Sequence, residues 1–189
     1  GQTSAELADL QGLAGIEVFN SVCEKMDGLG YARVHWDDLL SSGVRCTGLA
    51  VDDVHWRHNA QGRGFVMVRA ADMSEESILG ALRQGAFYAS TGPLLADLSV
   101  VQLEDAGPAL QVRCSPCQQI TFYAAGPRGR RFHAPAGETL KGAIYPLVEE
   151  QVFLRIECRD ADGGIAWSNP VYLCDLLASN PVEGPPSQE

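Results

Sequence analysis

The sequence changes its pattern at Gly92-Pro93, and this change restricts the folds open to the chain. Before that point, segments with helical apolar spacing alternate with short apolar runs typical of strands, which predicts parallel βα units. After it, short strand-like runs are separated by turn residues, which predicts an antiparallel sandwich. We therefore expect an α/β region over residues 1–92, a β-sandwich over residues 93–175 and a disordered tail rich in Pro, Gly and Ser over residues 176–189.

The clearest predicted helix begins after Asp72 or Ser74, both good N-cap residues, and ends at Gly85. The other elements expected before residue 93 are helices at Ala5–Leu13 and Trp36–Ser42, and strands at Gly15–Phe19, Val44–Val51 and Gly64–Ala70. The later region should contain strands at Leu98–Leu103, Leu110–Cys114, Ile120–Ala125, Ile144–Val148, Val152–Cys158 and Ile165–Leu173. These strands alternate apolar and polar positions, which suits a sheet with one face in a core.

Composition argues against several classes of function. With 46% hydrophobic and 20% charged residues, the 189-residue chain has an ordinary globular composition. Its 14 basic and 24 acidic residues give a net charge of −10, which argues against non-specific binding to nucleic acid or to an anionic membrane. A phosphorylated substrate stays compatible with this charge, because a bound metal ion can supply local positive charge.

The chain begins with Gly1, and we interpret it as a fragment or a processed product. No run approaches the about 20 apolar residues that a membrane helix needs. No signal-peptide pattern opens the chain, although a lost N-terminus could have carried one. The compartment is therefore open, with a cytoplasmic location slightly favoured.

Six cysteines are too few for a disulfide framework in a chain of this length. Cys114-Ser-Pro-Cys117 is a CxxC motif without the second pair that a zinc ribbon needs. The runs on both sides of it are strand-like, whereas a thioredoxin-type motif opens a helix. A structural role for these cysteines is therefore favoured over a redox or metal-binding role.

Asp53 and His55 form the most specific polar motif of the chain, in the segment Val51-Asp-Asp-Val-His55. Side chains at positions i and i+2 of an extended segment point to the same side. A carboxylate and an imidazole are ordinary ligands of zinc, manganese or iron, so the two residues could share an ion. The alternative is a turn or N-cap aspartate followed by a surface histidine.

Several segments in order resemble the closing part of PHP (polymerase and histidinol phosphatase) phosphoesterase domains. They are Gly15-Ile-Glu-Val-Phe-Asn20, Trp36-Asp-Asp-Leu-Leu, Gly43–His55 and Ile78–Pro93. Ala166-Trp-Ser-Asn-Pro170 resembles the end of the β-domain that follows the PHP domain in some members. The resemblance runs from about residue 7 to residue 173 and rests on the order and spacing of the segments.

The resemblance implies a partial distorted (β/α) barrel followed by an antiparallel β-sandwich. It implies a site with divalent Mn, Zn or Fe ions in the intact parent, in which Asp53 and His55 match the final Asp-x-His pair. The early His-x-His pair of such domains is absent and should lie in a missing N-terminal part, upstream of Gly1. The parent should hydrolyse a small phosphorylated substrate. The fragment alone should be inactive, and whether it keeps an ion is left open.

Other polar residues have two interpretations each. Glu17 and Asn20 lie near a strand end that should face the same rim, so Asn20 could touch substrate and Glu17 could accept a hydrogen bond beside the metal. Strand-end capping and turn formation are equally good explanations. Asp52 could orient His55 or be solvated. His133 follows the basic segment Arg128–Arg131, which is favoured as a solvated hairpin loop over an anion site.

The competing class of function is a non-catalytic β-sandwich that binds a ligand or an interaction partner. Its ligand face would be formed by aromatic side chains of the later region, although strand alternation places most of them in the core: Phe122, Tyr123, Phe132, Tyr145 and Tyr172. Reading the sequence that precedes Gly1 in the parent would separate the two classes.

Overall fold

The computed structural model describes residues 2–55, 58–148 and 151–179. Among these residues, strands account for about 41% and helices for about 21%, so the described part of the protein is mostly β. In chain order the elements are α1 (Ser4–Ala8), β1 (Gly15–Asn20), α2 (Ser21–Asp27), α3 (Arg33–Ser41), β2 (Thr47–Val51), β3 (Phe65–Val68), α4 (Glu75–Arg83), β4 (Phe87–Ser90), β5 (Leu95–Leu103), β6 (Gly107–Cys117), β7 (Gln119–Ala124), β8 (Arg130–His133), β9 (Leu140–Pro146), β10 (Phe153–Arg159), β11 (Ile165–Ser168), β12 (Val171–Tyr172) and α5 (Leu173–Ser179).

The first layer is a βαβ unit in which β1 and β2 pair in parallel. The connection runs through α2 and α3, and α3 buries Trp36, Leu39 and Leu40, which lie on one face at i, i+3 and i+4 spacing. Gly48 of β2 permits this packing, because a Cβ atom there would lie 2.7 Å from the indole of Trp36. The absence of a side chain at residue 48 thus lets the strand approach the indole closely.

The second layer is a seven-stranded sheet in the order β3-β4-β11-β10-β7-β8, with β12 also paired to β10. All of its pairings are antiparallel. Its central strand, β10, is covered on both faces, and every residue from Phe153 to Cys158 is buried. Side chains of a strand alternate between faces. Phe153 and Arg155 therefore face α3, whereas Leu154, Ile156 and Cys158 face the opposite side.

The third layer is the antiparallel sheet β5-β6-β9. Two apolar cores separate the three layers. The first core lies between the βαβ unit and the large sheet and includes Val18, Trp36 and Trp167. The second core lies between the large and small sheets and includes Val112, Phe122 and Ile156. The large sheet is thus the middle layer of the molecule.

An ion pair between a fully buried arginine and a half-buried aspartate fastens α3 to the middle layer. Arg155 is fully buried and donates two hydrogen bonds of 2.7 Å to the carboxylate of Asp37. Its guanidinium lies over the ring of Tyr123, 4.1 Å from the ring centroid. Beside it, Arg33 donates a 3.0 Å hydrogen bond to Glu157. A buried charge is tolerated where it is paired and hydrogen-bonded, as Arg155 is.

The expected fold, a partial (β/α) barrel followed by a β-sandwich, is wrong. Within the described residues β1 and β2 are the single parallel pair. The strand-helix-strand segment β3-α4-β4 returns antiparallel, and β4 pairs with β11 from the far end of the chain. Local periodicity specifies strand and helix but carries no information about the direction in which a strand enters a sheet. The middle layer therefore takes strands from both sides of residue 92.

The end of the described chain differs from the expected long strand at Ile165–Leu173. That segment divides into β11 and β12, and the chain then forms α5, which includes residues 176–179 of the expected tail. Residues 180–189, the rest of that tail, lie outside the described residues. No helix in the described part of the chain is long and apolar enough to cross a membrane.

Candidate functional site

The parallel pairing of β1 and β2 places their carboxyl ends side by side. Asn20, the last residue of β1, is in register with Val51, the last residue of β2. Because the carboxyl ends of parallel strands share one edge, residues that follow Val51 meet those at the end of β1. This edge holds Glu17, Asn20, Asp53 and His55, which we call the edge cluster.

Hydrogen bonds join the members of the edge cluster. The amide nitrogen of Asn20 donates to Glu17 Oε2 at 2.9 Å and to Asp53 Oδ2 at 3.3 Å. The other carboxylate oxygen of Asp53 lies 3.4 Å from Nε2 of His55. One neutral amide therefore holds two carboxylates, and one of these carboxylates also contacts the imidazole.

Asp53 and His55 converge by a route that differs from the expected extended segment. Asp53 has a φ of 53°, in the left-handed region that is uncommon for residues other than glycine. The turn at Asp53, rather than strand alternation, brings the carboxylate and the imidazole together. Their metal-binding role stays a prediction, while the proximity on which it depends is present.

Asn20 has a second role as the N-cap of α2. Its side-chain oxygen accepts a 2.9 Å hydrogen bond from the backbone N–H of Cys23. Because both ends of the amide are used and the residue is only 7% exposed, its orientation is fixed. Capping and contact with the cluster, the two interpretations of Asn20 from sequence, therefore occur together in one side chain.

Asp52 orients a loop and not His55. Its carboxylate accepts hydrogen bonds from the backbone N–H groups of Gly62, Arg63 and Gly64. Desolvation raises the pKa of Asp52, but these three donors together outweigh it and the pKa is lowered from its ordinary value. The same loop is tied to α2 by a 2.7 Å hydrogen bond from Ser21 Oγ to the carbonyl of Ala60. Asp52 thus fixes the segment that borders the edge cluster.

The edge cluster is open to solvent. The side chains of Asp53 and His55 are 44% and 56% exposed, and Glu17 is also exposed. The ring of His58 lies edge-on to that of His55, with 5.9 Å between centroids. In the described residues, no third His, Cys, Asp or Glu ligand atom completes a compact group with Asp53 and His55. The cluster offers an oxygen and a nitrogen ligand and needs further ligands to enclose an ion.

The remaining histidines lie elsewhere. His35 Nδ1 is hydrogen-bonded to Ser4 Oγ at 2.9 Å, which joins α3 to α1. His133 is exposed at the end of β8. Of the segment expected to be a solvated hairpin loop, Arg128 lies exposed in the short 3-10 turn between β7 and β8, whereas Arg130 and Arg131 belong to β8. Arg131 donates to Thr121 Oγ1, and Arg130 lies 4.8 Å above the ring of Phe132. The basic side chains of this strand therefore contact their own sheet.

A second group of potential ligands was not recognised from the sequence. Cys158 of β10 joins Cys114 and Cys117 of the CxxC motif, and the three sulfur atoms lie within 4.8 Å of one another. All three residues are buried. Cys158 is 41 positions from Cys117, so no local spacing could connect them. We call these three residues the cysteine triad.

The aromatic residues considered as a ligand face belong mainly to the second core. Phe122 is fully buried, and its ring stacks on that of Tyr145 with centroids 5.2 Å apart.

A cavity of about 480 Å³ lies elsewhere, among β3, β4, β5 and the Asn169 segment. Asn169 lines it while its amide donates to the carbonyls of Gly85 and Phe87. This side chain fixes the wall of the cavity.

No protein-family model, curated protein or solved structure matches the chain.

Proposed function

We propose that the chain is the C-terminal part of a metal-dependent phosphoester hydrolase and that the edge cluster is part of its metal site. One observation carries the proposal: Asp53 Oδ1 and His55 Nε2 lie 3.4 Å apart at the shared edge of two parallel strands. Ligands at the carboxyl edge of parallel strands are the usual arrangement in α/β sites. The left-handed backbone of Asp53 supports a functional assignment, since such strain is concentrated at binding and catalytic sites.

Each member of the edge cluster has a role in this proposal. Asp53 and His55 bind a divalent ion, Mn, Zn or Fe. Asn20 holds the Asp53 carboxylate by its amide nitrogen, and Glu17 is held on the other side of the same amide. A bound ion would lower the pKa of water and offset the charge of a phosphoryl group on this acidic protein. The substrate class is a small phosphorylated molecule.

The proposed site is incomplete in the described residues. A catalytic zinc site commonly has three protein ligands, and the cluster supplies two in close contact. The remaining ligands should come from polypeptide outside the described residues. We therefore expect little or no phosphoesterase activity from this chain alone, even with added manganese or zinc. We also place the protein in the cytoplasm, where its cysteines would stay reduced.

The test is a titration of the isotope-labelled chain with Mn(II), whose unpaired electrons broaden nearby amide signals. Broadening should centre on Asn20, Asp53 and His55, and the Asp53→Ala variant should lose it. His133→Ala is the matched control, since it removes an exposed histidine outside the cluster. Equal broadening in Asp53→Ala and the unaltered chain would contradict the assignment of the ligands.

Activity tests the second part of the proposal. Assays with a generic phosphomonoester should give no metal-dependent turnover for the chain alone. Robust turnover that Asp53→Ala abolishes would confirm the ligand but overturn the expectation that further ligands are required.

The cavity of about 480 Å³ favours a second candidate, a module that binds a small apolar ligand. Its volume lies in the usual range for ligand sites, and most of its lining is apolar. Binding of an apolar fluorescent dye should be blocked by Ala96→Trp, which fills the cavity from its exposed rim. Dye binding unaffected by this substitution would remove the cavity as the ligand site.

A further inference from the structure

We propose that the cysteine triad, Cys114, Cys117 and Cys158, binds one closed-shell thiophilic metal ion between the middle and third layers. The site is separate from the edge cluster, and its ligands are sulfur atoms only. The ion class is Zn(II) or Cu(I), both of which bind cysteine thiolates.

An irregularity in β6 turns two of the thiols toward the same core. In a regular strand, residues three positions apart point to opposite faces. The pairing of β6 with β9 shifts register between Arg113 and Cys117, and this bulge places both Cys114 and Cys117 in the second core. Ser115, between them, is anchored to the residue before β5 by a 2.8 Å hydrogen bond from its backbone N–H to the carbonyl of Leu94. The backbone therefore holds the CxxC segment in a shape that presents two thiols together.

The third thiol arrives from the middle layer. Cys158 of β10 is paired with Ile120 of β7 and with Ala166 of β11, so two neighbouring strands fix its position. Three thiolates bound at about 2.3 Å to one ion lie about 4 Å apart. The three sulfur atoms lie within 4.8 Å of one another, so they need to move only slightly closer together to reach that geometry.

Mutual hydrogen bonds spread the pKa values of the three thiols apart. Hydrogen bonds from Cys117 and Cys158 lower the pKa of Cys114 to about 4. The hydrogen bond with Cys114 raises the pKa of Cys117 to about 12, and contacts with both other thiols raise that of Cys158. A cation bound between the three sulfur atoms would offset the charge of their thiolates, and thiols release protons when they bind a metal.

The surroundings restrict the kind of ion. The triad belongs to an apolar core that includes Val112, Ile120 and Ile156, and the side chain of Ser115 adds a polar contact to Cys117. Magnesium, calcium and manganese prefer oxygen ligands and therefore do not suit this site. An ion with three sulfur ligands and little access to water suits the low coordination of Cu(I), while Zn(II) would take one further ligand.

Titration of the reduced, metal-free full chain tests the proposal. Zn(II) and Cu(I) are offered separately, each in competition with a chromogenic chelator, and cobalt(II) serves as a spectroscopic probe of thiolate coordination. One ion per chain should bind at sulfur ligands, with a thiolate-to-cobalt charge-transfer band. Cys158→Ala should weaken binding by about 100-fold or more, since a structural thiolate site distributes a large binding free energy over few ligands.

Cys46→Ala is the matched control, because Cys46 is also buried but belongs to the first core. It should leave the affinity unchanged. Binding of either ion supports the site. The ion that the chain takes from its chelator is the one that the site binds. Binding that Cys158→Ala and Cys46→Ala weaken equally overturns the proposal.

A measurement on the unaltered chain avoids any dependence on the folding of variants. Mass spectrometry after timed alkylation should find the three triad thiols protected when the ion is present, while the exposed Cys174 reacts at the same rate with and without it. Equal alkylation of the triad in both conditions overturns the proposal and leaves these thiols as packing groups. A disulfide within the triad that forms despite the ion overturns it as well.

Discussion

The two faces of the middle sheet carry different chemistry. On one face, β10 presents Arg155 to α3, and the adjoining βαβ unit ends in the solvent-exposed edge cluster. On the other face, β10 presents Leu154, Ile156 and Cys158 to an apolar core that encloses the cysteine triad. The edge cluster is held by a cap, a turn and hydrogen bonds, whereas the triad is held by the packing of two sheets.

This difference explains which kind of metal ion each of the two sites could hold. Oxygen and nitrogen ligands in solvent can exchange water and admit a substrate, as a catalytic ion requires. Buried sulfur ligands exclude water and substrate, and they suit an ion that stabilises the fold. The same strand therefore separates a site suited to chemistry from one suited to structure.

The largest expected effect comes from Trp167→Ala, which empties the core beneath the edge cluster. Trp167 is fully buried, and its ring is nearly parallel to that of Phe19, next to Asn20, with centroids 6.4 Å apart. The free energy of unfolding should fall by about 3–5 kcal/mol. Denaturant unfolding gives this value, and NMR signals of the edge cluster should shift as well.

Phe122→Ala is the counterpart on the opposite face, where the side chain is equally buried. It should cost a similar free energy but accelerate alkylation of Cys158 instead of disturbing the edge cluster. If both variants perturb both sites to the same degree, the two faces do not act separately.

The next effect concerns the charged pair. Asp37→Ala removes both hydrogen bonds from the buried guanidinium of Arg155, which keeps only a 3.8 Å ion pair with Glu157, and the free energy of unfolding should fall by about 3 kcal/mol. Asp38→Ala is the control on the neighbouring residue, whose carboxylate accepts an exposed hydrogen bond from Ser4. It should cost less than about 1 kcal/mol. Equal losses in the two variants would show that the ion pair adds nothing specific.

The positions of many elements follow from the sequence, but their arrangement does not. Helix α4 begins after the N-cap Ser74 and is followed by Gly85 in the left-handed conformation, as the capping residues predict. Strands occur at each of the runs expected after residue 93. The pairing of β4 with β11 could not be predicted, because the partners of a strand depend on side chains distant in the sequence. The expectation of parallel βα units failed for β3 and β4 for this reason, although β1 and β2 do pair in parallel.

The sequence patterns also did not predict elements in which apolar residues are few or irregularly spaced. Helix α2 has Met26 mostly exposed, so its apolar face is short, and its start depends on the Asn20 cap. Strand β8 contains Phe132 as its one apolar residue and lies at the edge of its sheet. Such elements are specified by a neighbour more than by their own sequence.

The two sites differ in the same way. Glu17, Asn20, Asp53 and His55 could be grouped from the sequence because two parallel strand ends and a short motif bring them together. Cys158 could not be added to the CxxC motif, since only the packing of β10 against β6 connects them. Alternation along β10 does place Cys158 on the same face as Leu154 and Ile156, which is the one available signal that its thiol is buried.

A smaller effect is expected from the strained backbone at Asp53, in the turn of the edge cluster. Glycine adopts the left-handed conformation of residue 53 without strain, whereas alanine does not. Asp53→Gly should therefore be more stable than Asp53→Ala by about 1 kcal/mol, although both lose the proposed metal ligand. Denaturant unfolding of the two variants gives the difference. An alanine variant as stable as the glycine variant would show that the backbone at this position relaxes freely.

The smallest effect is a local pH dependence beside the edge cluster. The pKa of Asp52 is lowered, because three backbone N–H donors outweigh desolvation, so its carboxylate holds the loop at residues 62–64. A lowered pKa in the folded state means that this contribution is complete above the unfolded value of about 3.9 and is lost as the pH falls through the folded value. In an NMR titration, the amide protons of Gly62 and Gly64 should move together with a midpoint below about 3.9. Asp52→Asn should abolish this titration, while the amide of Cys158, in the apolar core, should not move in either protein. A midpoint above the unfolded value, or a titration that persists in Asp52→Asn, would assign the loop to a different anchor.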